Sequence, residues 1–146
     1  EVNVVAKMKE TNAVIGGEGN GGVIYPALHY GRDALVGIAL FLTHLAKSGK
    51  KCSELRASYP NYFISKNKIE LKAGVNPDTV LEKLKVKHSN QQVNTVDGLR
   101  IDFEGEWVHM RKSNTEPIIR IYAESSSAEK ATLLATKMIG EIEELL

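Results

Sequence analysis

The second half of the chain contains segments in which apolar and polar residues alternate with a period of two. The segment GLRIDFEGEWVHMRK alternates on both sides of Gly105, and PIIRIYAES alternates again shortly afterwards. Because successive side chains of a β-strand point to opposite faces, this pattern predicts strands with one buried and one exposed face. The break at Gly105 predicts a hairpin. These residues therefore predict a mainly antiparallel sheet.

Two amphipathic segments lie on either side of this hairpin and predict helices that cover the sheet. NPDTVLEKLK predicts a short helix with Asn76 as its N-cap and Pro77 in its first turn. SSAEKATLLATKMIGEIEELL predicts a closing helix. Its apolar face consists of Ala131, Leu134, Ala135, Met138, Ile142 and Leu145. With FISKNKIEL as a further strand, the order predicts an α+β unit with helices on one face of the sheet.

The first part of the chain has a different organisation. The apolar run Ala13–Ile15 predicts a strand that leads into the glycine-rich loop GGEGNGG. GRDALVGIALFLTHLAKSGKK predicts a helix that is capped by Asp33 and ends near Gly49. Residues 47–62 are polar and irregular, which predicts a boundary there. We place the segments as follows: a first part at residues 1–50, a linker at 51–65 and a second unit at 66–146.

Composition excludes several classes of partner. With 19 Lys and Arg against 18 Asp and Glu, the net charge of +1 gives no field for binding nucleic acid. No apolar run is long enough to span a membrane. The single Cys52 is predicted to be structural and is typical of a reducing cytoplasm, and the four histidines have no metal-ligand spacing. Because EVNVVAKMKE lacks an initiator methionine, we expect a piece of a longer protein.

The segment RKSNTEPIIR has the composition of an anion-binding turn. A hairpin can bring Arg111 and Arg120 together, and an arginine fork donates two hydrogen bonds to a phosphate. Between them, Ser113 and Thr115 offer hydroxyl groups and Asn114 offers an amide. A tight turn also exposes backbone N–H groups that bind anions. The alternative is a capped hairpin turn with surface arginines.

The loop GGEGNGG offers a second set of polar groups. Its glycines permit close approach of a ligand, and only Glu18 and Asn20 have side chains that can bind sugar hydroxyls. It is not a dinucleotide fingerprint, because no helix opens directly after the glycines. The alternative is a flexible connecting loop. His29 and Arg32 follow closely and are candidates for the same cleft, whereas His44 lies in the predicted helix and is expected to be structural.

Taken together, the two loops resemble those of the α-D-phosphohexomutases, the family of phosphoglucomutase, phosphomannomutase and phosphoglucosamine mutase. GEGNG resembles the family's GExSG loop, which contacts sugar hydroxyls, so the resemblance implies that role for Glu18. Asn20 stands where many members have serine, and Gly22 stands where GEMSGH or GEQSGH has histidine. RKSNTEPIIR matches RxSNTEPxxR, which holds the phosphate that is not transferred, and DGLRI resembles the family segment before it. The implied phosphate-binding residues are Arg111, Ser113, Asn114, Thr115 and Arg120.

The resemblance implies the end of an α/β third domain followed by a complete fourth domain. The whole enzyme would interconvert hexose 1-phosphate and hexose 6-phosphate through a bisphosphate, with a phosphoserine and Mg²⁺. The sequence contains neither the family's SHN segment nor its DxDxDR loop, so the metal ligands lie outside this chain and the chain alone is expected to be inactive. The departures in the first loop leave the hexose open.

Two other functions remain open at this stage. One is a complete, non-catalytic module that binds phosphosugars or regulates another protein. The other is an anion-binding interaction domain without sugar specificity. The function of Glu18 distinguishes the anion-binding domain from the enzyme and from the phosphosugar-binding module. A domain without sugar specificity does not need a carboxylate that accepts hydrogen bonds from sugar hydroxyls.

Overall fold

The computed structural model describes residues 1–72 and 74–146, which form two compact units, Glu1–Pro60 and Asn61–Leu146. The elements of the first unit are α1 (Val2–Thr11), β1 (Gly16–Gly17), β2 (Val23–Tyr25), β3 (His29–Arg32), α2 (Ala34–Ser48) and α3 (Cys52–Ala57). Those of the second are β4 (Phe63–Glu70), α4 (Pro77–Lys87), β5 (Gln92–Asn94), β6 (Leu99–Phe103), β7 (Glu106–Lys112), β8 (Ile118–Ser125) and α5 (Ala128–Glu143).

The second unit has the α+β architecture that the alternation predicts. Its strands form one antiparallel sheet in the order β4-β8-β7-β6-β5. The predicted hairpin turns at Gly105, where φ is 75°, a value that glycine adopts without strain. Helices α4 and α5 share one hydrophobic core with a single face of the sheet. Among the described residues of this unit, no helix covers the opposite face of the sheet.

The two helices of the second unit form where local sequence signals place them. The Asn76 side chain accepts a hydrogen bond from the backbone N–H of Asp78 at 2.9 Å, and Pro77 occupies the first turn of α4. In α5 the predicted apolar face is buried, with Leu145 only partly so just beyond its end. Strand β5 was not predicted, because three residues of largely polar sequence contain no readable alternation.

The first unit agrees with the sequence in α2 and departs from it elsewhere. Asp33 caps α2 by accepting from the N–H of Val36 at 3.0 Å, and Gly49 ends it with φ of 64°. The predicted strand at Ala13–Ile15 is wrong, because α1 extends to Thr11 and pairing begins only at β1. The segment predicted to be irregular contains α3, whose start is held by the Glu54 carboxylate accepting from the N–H of Lys51 at 2.8 Å.

The apolar face of α2 is not covered within the described part of the chain. No residue of α2 is buried, and 79% of Leu35, 54% of Ile38 and 54% of Leu42 are exposed. The three-stranded sheet β1-β2-β3 contacts α2 mainly through β2. Helix α2 therefore has the apolar stripe of a helix that packs on a core, but no described residue covers that stripe.

A buried polar pair links α4 to α5. The His88 ring donates from Nε2 to the Glu141 carboxylate at 2.8 Å, and the Lys87 ammonium lies 3.2 Å from the same carboxylate oxygen. The edge of the Phe103 ring packs against His88. Burial raises the pKa of Glu141, but the hydrogen bonds from His88 and Lys87 outweigh burial and hold this pKa below its usual value.

We predict that Glu141→Gln lowers the free energy of unfolding of the second unit by about 1.5–3 kcal/mol at pH 7, the usual contribution of hydrogen bonds to a charged group. A lowered carboxylate pKa stabilises the fold above the unfolded pKa of about 4.3, and this stabilisation is lost as pH falls through the folded value. The difference between wild type and variant should therefore shrink below about pH 4. Urea unfolding at pH 7 and at pH values below 4, followed by the fluorescence of Trp107, the one tryptophan, measures the loss of unfolding free energy and its pH dependence.

The matched control is Glu144→Gln. Glu144 meets the same lysine at 3.5 Å, but 73% of its side chain is exposed, so its removal should change the unfolding free energy by less than about 0.5 kcal/mol. An equal loss for the two variants, or a Glu141→Gln loss that does not depend on pH, would contradict the assigned role of the buried pair.

Candidate functional site

Two arginines face each other across neighbouring strands on the uncovered face of the second sheet. Arg111 of β7 is the direct partner of Arg120 of β8, and Lys68 of β4 is the next partner in the same row. Like charges placed directly opposite each other in a sheet are destabilising. Arg111 is compensated by the Asp97 carboxylate at 2.7 Å, whereas no described residue places a carboxylate within ion-pair distance of Arg120. This row of cations therefore favours an anion.

The loop that joins β7 to β8 holds hydroxyl groups beside this row. The N–H of Ser113 donates to the carbonyl of Ile118 at 3.0 Å, which closes the loop at its base. The hydroxyls of Ser113 and Thr115 lie 3.4 Å apart, and the N–H of Thr115 also lies 3.4 Å from the Ser113 hydroxyl. Asn114 stands exposed at the tip. The structure thus brings the predicted phosphate-binding residues to one end of the β7–β8 hairpin.

A small pocket of about 110 Å³ lies beside the two arginines. It is lined by His109, Arg111, Arg120 and Tyr122. This volume is several times the space that a single water needs, and it suits an anion of a few atoms. Sequence reasoning missed His109 and Tyr122, although each lies two residues from one of the arginines and the strand period places it on the same face.

Asp97 and Gly98 hold Arg111 in position. The Asp97 carboxylate accepts from Arg111, and its carbonyl oxygen accepts from Nε2 of His109. Gly98 has φ of 80°, and a Cβ there would collide with the carbonyl oxygen of Met110. A glycine is required at this turn because both the backbone angle and the close approach to β7 exclude a side chain. The DG pair in DGLRI therefore has a structural reason.

In the first unit, the glycine-rich loop is the turn between β1 and β2. The N–H of Glu18 donates to the carbonyl of Gly22 at 3.0 Å, and the N–H of Gly22 donates to the Asn20 side-chain oxygen at 2.9 Å. The Asn20 amide lies 3.4 Å from the Glu18 carboxylate. The two side chains predicted to bind sugar hydroxyls are thus adjacent, on a turn that their own hydrogen bonds organise.

The Glu18 carboxylate is charged at neutral pH. In this chain its pKa is lowered first by the hydrogen bond from the terminal α-amino group at Glu1, 3.0 Å away, a group that is present only in a chain beginning at this residue, and burial acts in the opposite direction. The Asn20 amide and the Arg32 guanidinium, which is 3.6 Å away, lower this pKa further. A carboxylate in this state is a strong acceptor for hydroxyl donors.

His29 and Arg32 were both expected beside the glycine-rich loop. Arg32 lies beside this loop, whereas His29 makes its hydrogen bonds to Gly31 and Asp33. Nδ1 of His29 accepts from the N–H of Gly31 at 3.0 Å, and Nε2 lies 3.2 Å from the Asp33 carboxylate. His29 therefore supports the start of α2. Together with Asn20 and Gly22, Arg32 lines an open pocket with a volume of about 760 Å³. His44 contacts the hydroxyl of Tyr59 at 3.0 Å.

Metal ligation and membrane insertion find no support in the described residues. Residues 1–72 and 74–146 contain no group of three His, Cys, Asp or Glu side chains that could hold a metal ion. Over the same residues, every helix is too short or too polar to cross a membrane.

Comparison with known proteins gives the same assignment for both units. Residues 1–62 match the family described as phosphoglucomutase/phosphomannomutase, alpha/beta/alpha domain III, and residues 68–141 match the C-terminal domain of the same enzymes. A phosphoglucomutase/phosphomannomutase of Thermococcus kodakarensis is 38% identical over 98% of this chain. A phosphoglucosamine/phosphogalactosamine mutase of Sulfurisphaera tokodaii is 36% identical over 94%. The chain spans only 31% and 30% of these two relatives.

Solved structures agree with the sequence comparison. A phosphoglucomutase/phosphomannomutase family protein from Burkholderia thailandensis superimposes with a TM-score of 0.72 and 26% identity, over 97% of this chain and 30% of that protein. An N-acetylphosphoglucosamine mutase of Aspergillus fumigatus, solved with GlcNAc-6P and magnesium, has the same fold over 79% of this chain and 22% of its own, with a TM-score of 0.50 and 21% identity. By its two matching domains and the fold of both units, this chain belongs to the phosphoglucomutase/phosphomannomutase family.

Proposed function

We propose that this chain is the C-terminal part of a phosphohexomutase that interconverts hexose 1-phosphate and hexose 6-phosphate through a bisphosphate intermediate. In this enzyme the chain holds the substrate, by its phosphate at the β7–β8 loop and by its hydroxyls at the β1–β2 loop. The observation that carries the proposal is the direct opposition of Arg111 and Arg120 beside a hydroxyl-bearing loop.

A phosphate resolves the charge conflict of this arrangement. Two guanidinium groups on opposite positions repel each other, and a dianion between them receives paired N–H donors from both. Arg111 is already oriented by Asp97, so it loses little conformational freedom on binding. Ser113 and Thr115 add neutral hydroxyl donors at the same end of the hairpin, and Asn114 adds an amide. We therefore assign the phosphate that is not transferred to this loop.

The β1–β2 loop suits the neutral part of the same ligand. A charged carboxylate repels phosphate but accepts well from hydroxyls, while the amide of Asn20 both donates and accepts. Glu18 and Asn20 are adjacent, so one sugar edge can contact both. The relatives are named for glucose, mannose, glucosamine and galactosamine phosphates, and we propose a hexose phosphate of this group as the ligand.

The catalytic groups of the proposed enzyme lie outside this chain. No described residues form a metal site, and the sequence has neither an SHN segment nor a DxD pattern. The Aspergillus protein was solved with magnesium, and we propose Mg²⁺ for the whole enzyme, held by ligands that this chain does not contribute. The residues that are present bind and orient the substrate. Positioning of the substrate is one of the two main contributions to phosphoryl-transfer catalysis, and stabilisation of charge is the other.

The uncovered face of α2 supports the assignment of the first unit to a larger domain. A helix with Leu35, Ile38 and Leu42 exposed on one side normally packs on a sheet, and the matching family domain is described as alpha/beta/alpha. We propose that the first unit, Glu1–Pro60, is the end of that domain and that the second unit, Asn61–Leu146, is the fourth domain, so the predicted linker at 51–65 is shared between helix α3 and the start of β4. A cytoplasmic location, inferred from the single Cys52, is part of the same proposal.

We predict that the 146-residue chain has no mutase activity with glucose, mannose or glucosamine phosphates, because it lacks the phosphoryl carrier and the metal ligands. Coupled assays of both directions with added Mg²⁺ measure this, and the full-length protein is the positive control. Turnover by the purified chain, or an inactive full-length protein that still binds phosphosugars, would favour the stand-alone binding module.

We predict that Arg120→Ala weakens binding of inorganic phosphate and of hexose 6-phosphate to the chain by about 10- to 100-fold, because it removes charge-assisted hydrogen bonds worth about 1.5–3 kcal/mol. NMR titration measures the affinity. Arg100→Ala is the matched control, because Arg100 lies in the same sheet but is paired with Asp102 at 2.6 Å and stacked on Trp107. An equal effect of the two substitutions would place the anion elsewhere.

We predict that Glu18→Gln in the full-length protein lowers kcat/KM for the preferred hexose phosphate by about tenfold or more and narrows the preference between glucose and mannose phosphates. Affinity for inorganic phosphate should stay nearly constant, because the carboxylate reads hydroxyls. Glu10→Gln, an exposed glutamate of α1 paired with Lys7, is the control and should change neither quantity. Loss of phosphate affinity with unchanged sugar preference would contradict this role of the loop.

A further inference from the structure

The space beside Gly22 is filled by a side chain from another strand. A Cβ built at Gly22 would lie 2.6 Å from Cδ and 3.2 Å from Cγ of Arg32, and 3.1 Å from the Asn20 side-chain oxygen. A contact of 2.6 Å between carbon atoms is not tolerated, so any residue with a Cβ at position 22 must displace Arg32. Glycine at 22 and arginine at 32 are therefore coupled, although Gly22 lies in the β1–β2 turn and Arg32 lies in β3.

The guanidinium of Arg32 lies next to the groups assigned to sugar recognition. Its NH1 is 3.6 Å from the Glu18 carboxylate, and its Nε is 2.8 Å from the Glu1 carboxylate. It lines the open pocket to which Asn20 and Gly22 also contribute, and 48% of its side chain is exposed. A guanidinium has five N–H donors, which is more than these two contacts use. Arg32 can thus orient Glu18 and still donate to a ligand.

We propose that Arg32 replaces, from strand β3, the histidine that GEMSGH and GEQSGH members of the family carry at the position of Gly22. In this chain Arg32 orients the Glu18 carboxylate and donates to the oxygens of the hexose phosphate, so it is a specificity-determining residue of the β1–β2 loop. The inference rests on the proposed function. It assigns a role to a residue outside both loop motifs, and it gives the departure at Gly22 a physical reason.

The backbone at Gly22 does not itself demand glycine. Its φ is outside the left-handed region, in contrast to Gly21 with φ of 88°. The cost of a side chain at position 22 therefore comes from the collision with Arg32. Gly140, in α5 of the second unit, also lacks a positive φ, and a Cβ added there would meet no atom within 4 Å. Gly140→Ala is thus a control that adds the same methyl group outside both loops and without meeting Arg32.

A double-mutant cycle in the full-length mutase tests the coupling. Arg32→Ala should lower kcat/KM for the hexose phosphate by about tenfold or more, chiefly through KM, since it removes a charge-assisted contact to the substrate. Gly22→Ala should lower kcat/KM several-fold because it displaces Arg32. The double variant should be no worse than Arg32→Ala alone, because the collision partner is gone. Gly140→Ala should leave kcat/KM unchanged in both backgrounds.

Two rescue variants separate this role from a merely structural one. Arg32→Lys should retain more activity than Arg32→Ala, because it keeps the charge. Gly22→His combined with Arg32→Gly should exceed Arg32→Gly alone, because the histidine then enters the vacated space. If Arg32→Ala does not fold, as judged by thermal unfolding, the cycle is run with Arg32→Ser, which also lacks the colliding Cδ, and the Gly22→Ala defect should again be smaller than in wild type.

The outcomes also distinguish this inference from the proposed function. Fully multiplicative effects of Gly22→Ala and Arg32→Ala, or an unchanged KM in Arg32→Ala, would overturn the role of Arg32 while Glu18→Gln and Arg120→Ala remain impaired. If Glu18→Gln and Arg120→Ala are also without effect, the proposed function itself fails. A sub-additive cycle with rescue by histidine at position 22 supports the replacement.

Discussion

The register between β7 and β8 is the constraint on which the functional face of the second unit depends. Burial of Met110 and Ile121 against the helices fixes which side chains face the core. Because the side-chain period of a strand is two, the same register puts Arg111 opposite Arg120 on the other face. A shift of one residue would bury these charges, so the hydrophobic core that stabilises the sheet also holds the two cations together. The two cations repel each other in this register, and the phosphate proposed for this site would relieve that repulsion.

The structure around this pair restricts its motion. Arg111 is held by the Asp97 carboxylate, whose position depends on a turn that only Gly98 can make beside β7. The loop is closed at its base by the hydrogen bond between Ser113 and Ile118. Preorganised donors lose little entropy when a ligand binds, and a site that only positions a substrate benefits most from this.

The first unit shows how loop chemistry can be kept while the motif changes. The turn carries Glu18 and Asn20 on a backbone that their own hydrogen bonds shape, so the acceptor and amide do not depend on the residue at position 22. A cation from β3 occupies the space that glycine leaves there. A motif read only along the sequence records a loss at Gly22, whereas the spatial arrangement keeps a donor beside the carboxylate through Arg32.

The sequence by itself determined the features that depend on neighbouring residues. The hairpin at Gly105, the N-caps at Asn76 and Asp33 and the buried face of α5 were predicted because alternation, capping and helical spacing are local signals. The wrong strand at Ala13–Ile15 came from a short apolar run, which periodicity alone cannot distinguish from the connection between α1 and β1 that these residues form.

Only the tertiary structure decided which distant residues meet. The opposition of Arg111 and Arg120 follows from strand register, the pocket with His109 and Tyr122 follows from the face they share, and the approach of Arg32 to Gly22 follows from the packing of β3 on its neighbour. The sequence allowed Arg111 and Arg120 to meet in a hairpin, and the strand period puts His109 and Tyr122 on their face, but neither signal fixed the register that makes these residues neighbours. Their geometry is set by burial of the core and by strand pairing, which no local pattern encodes.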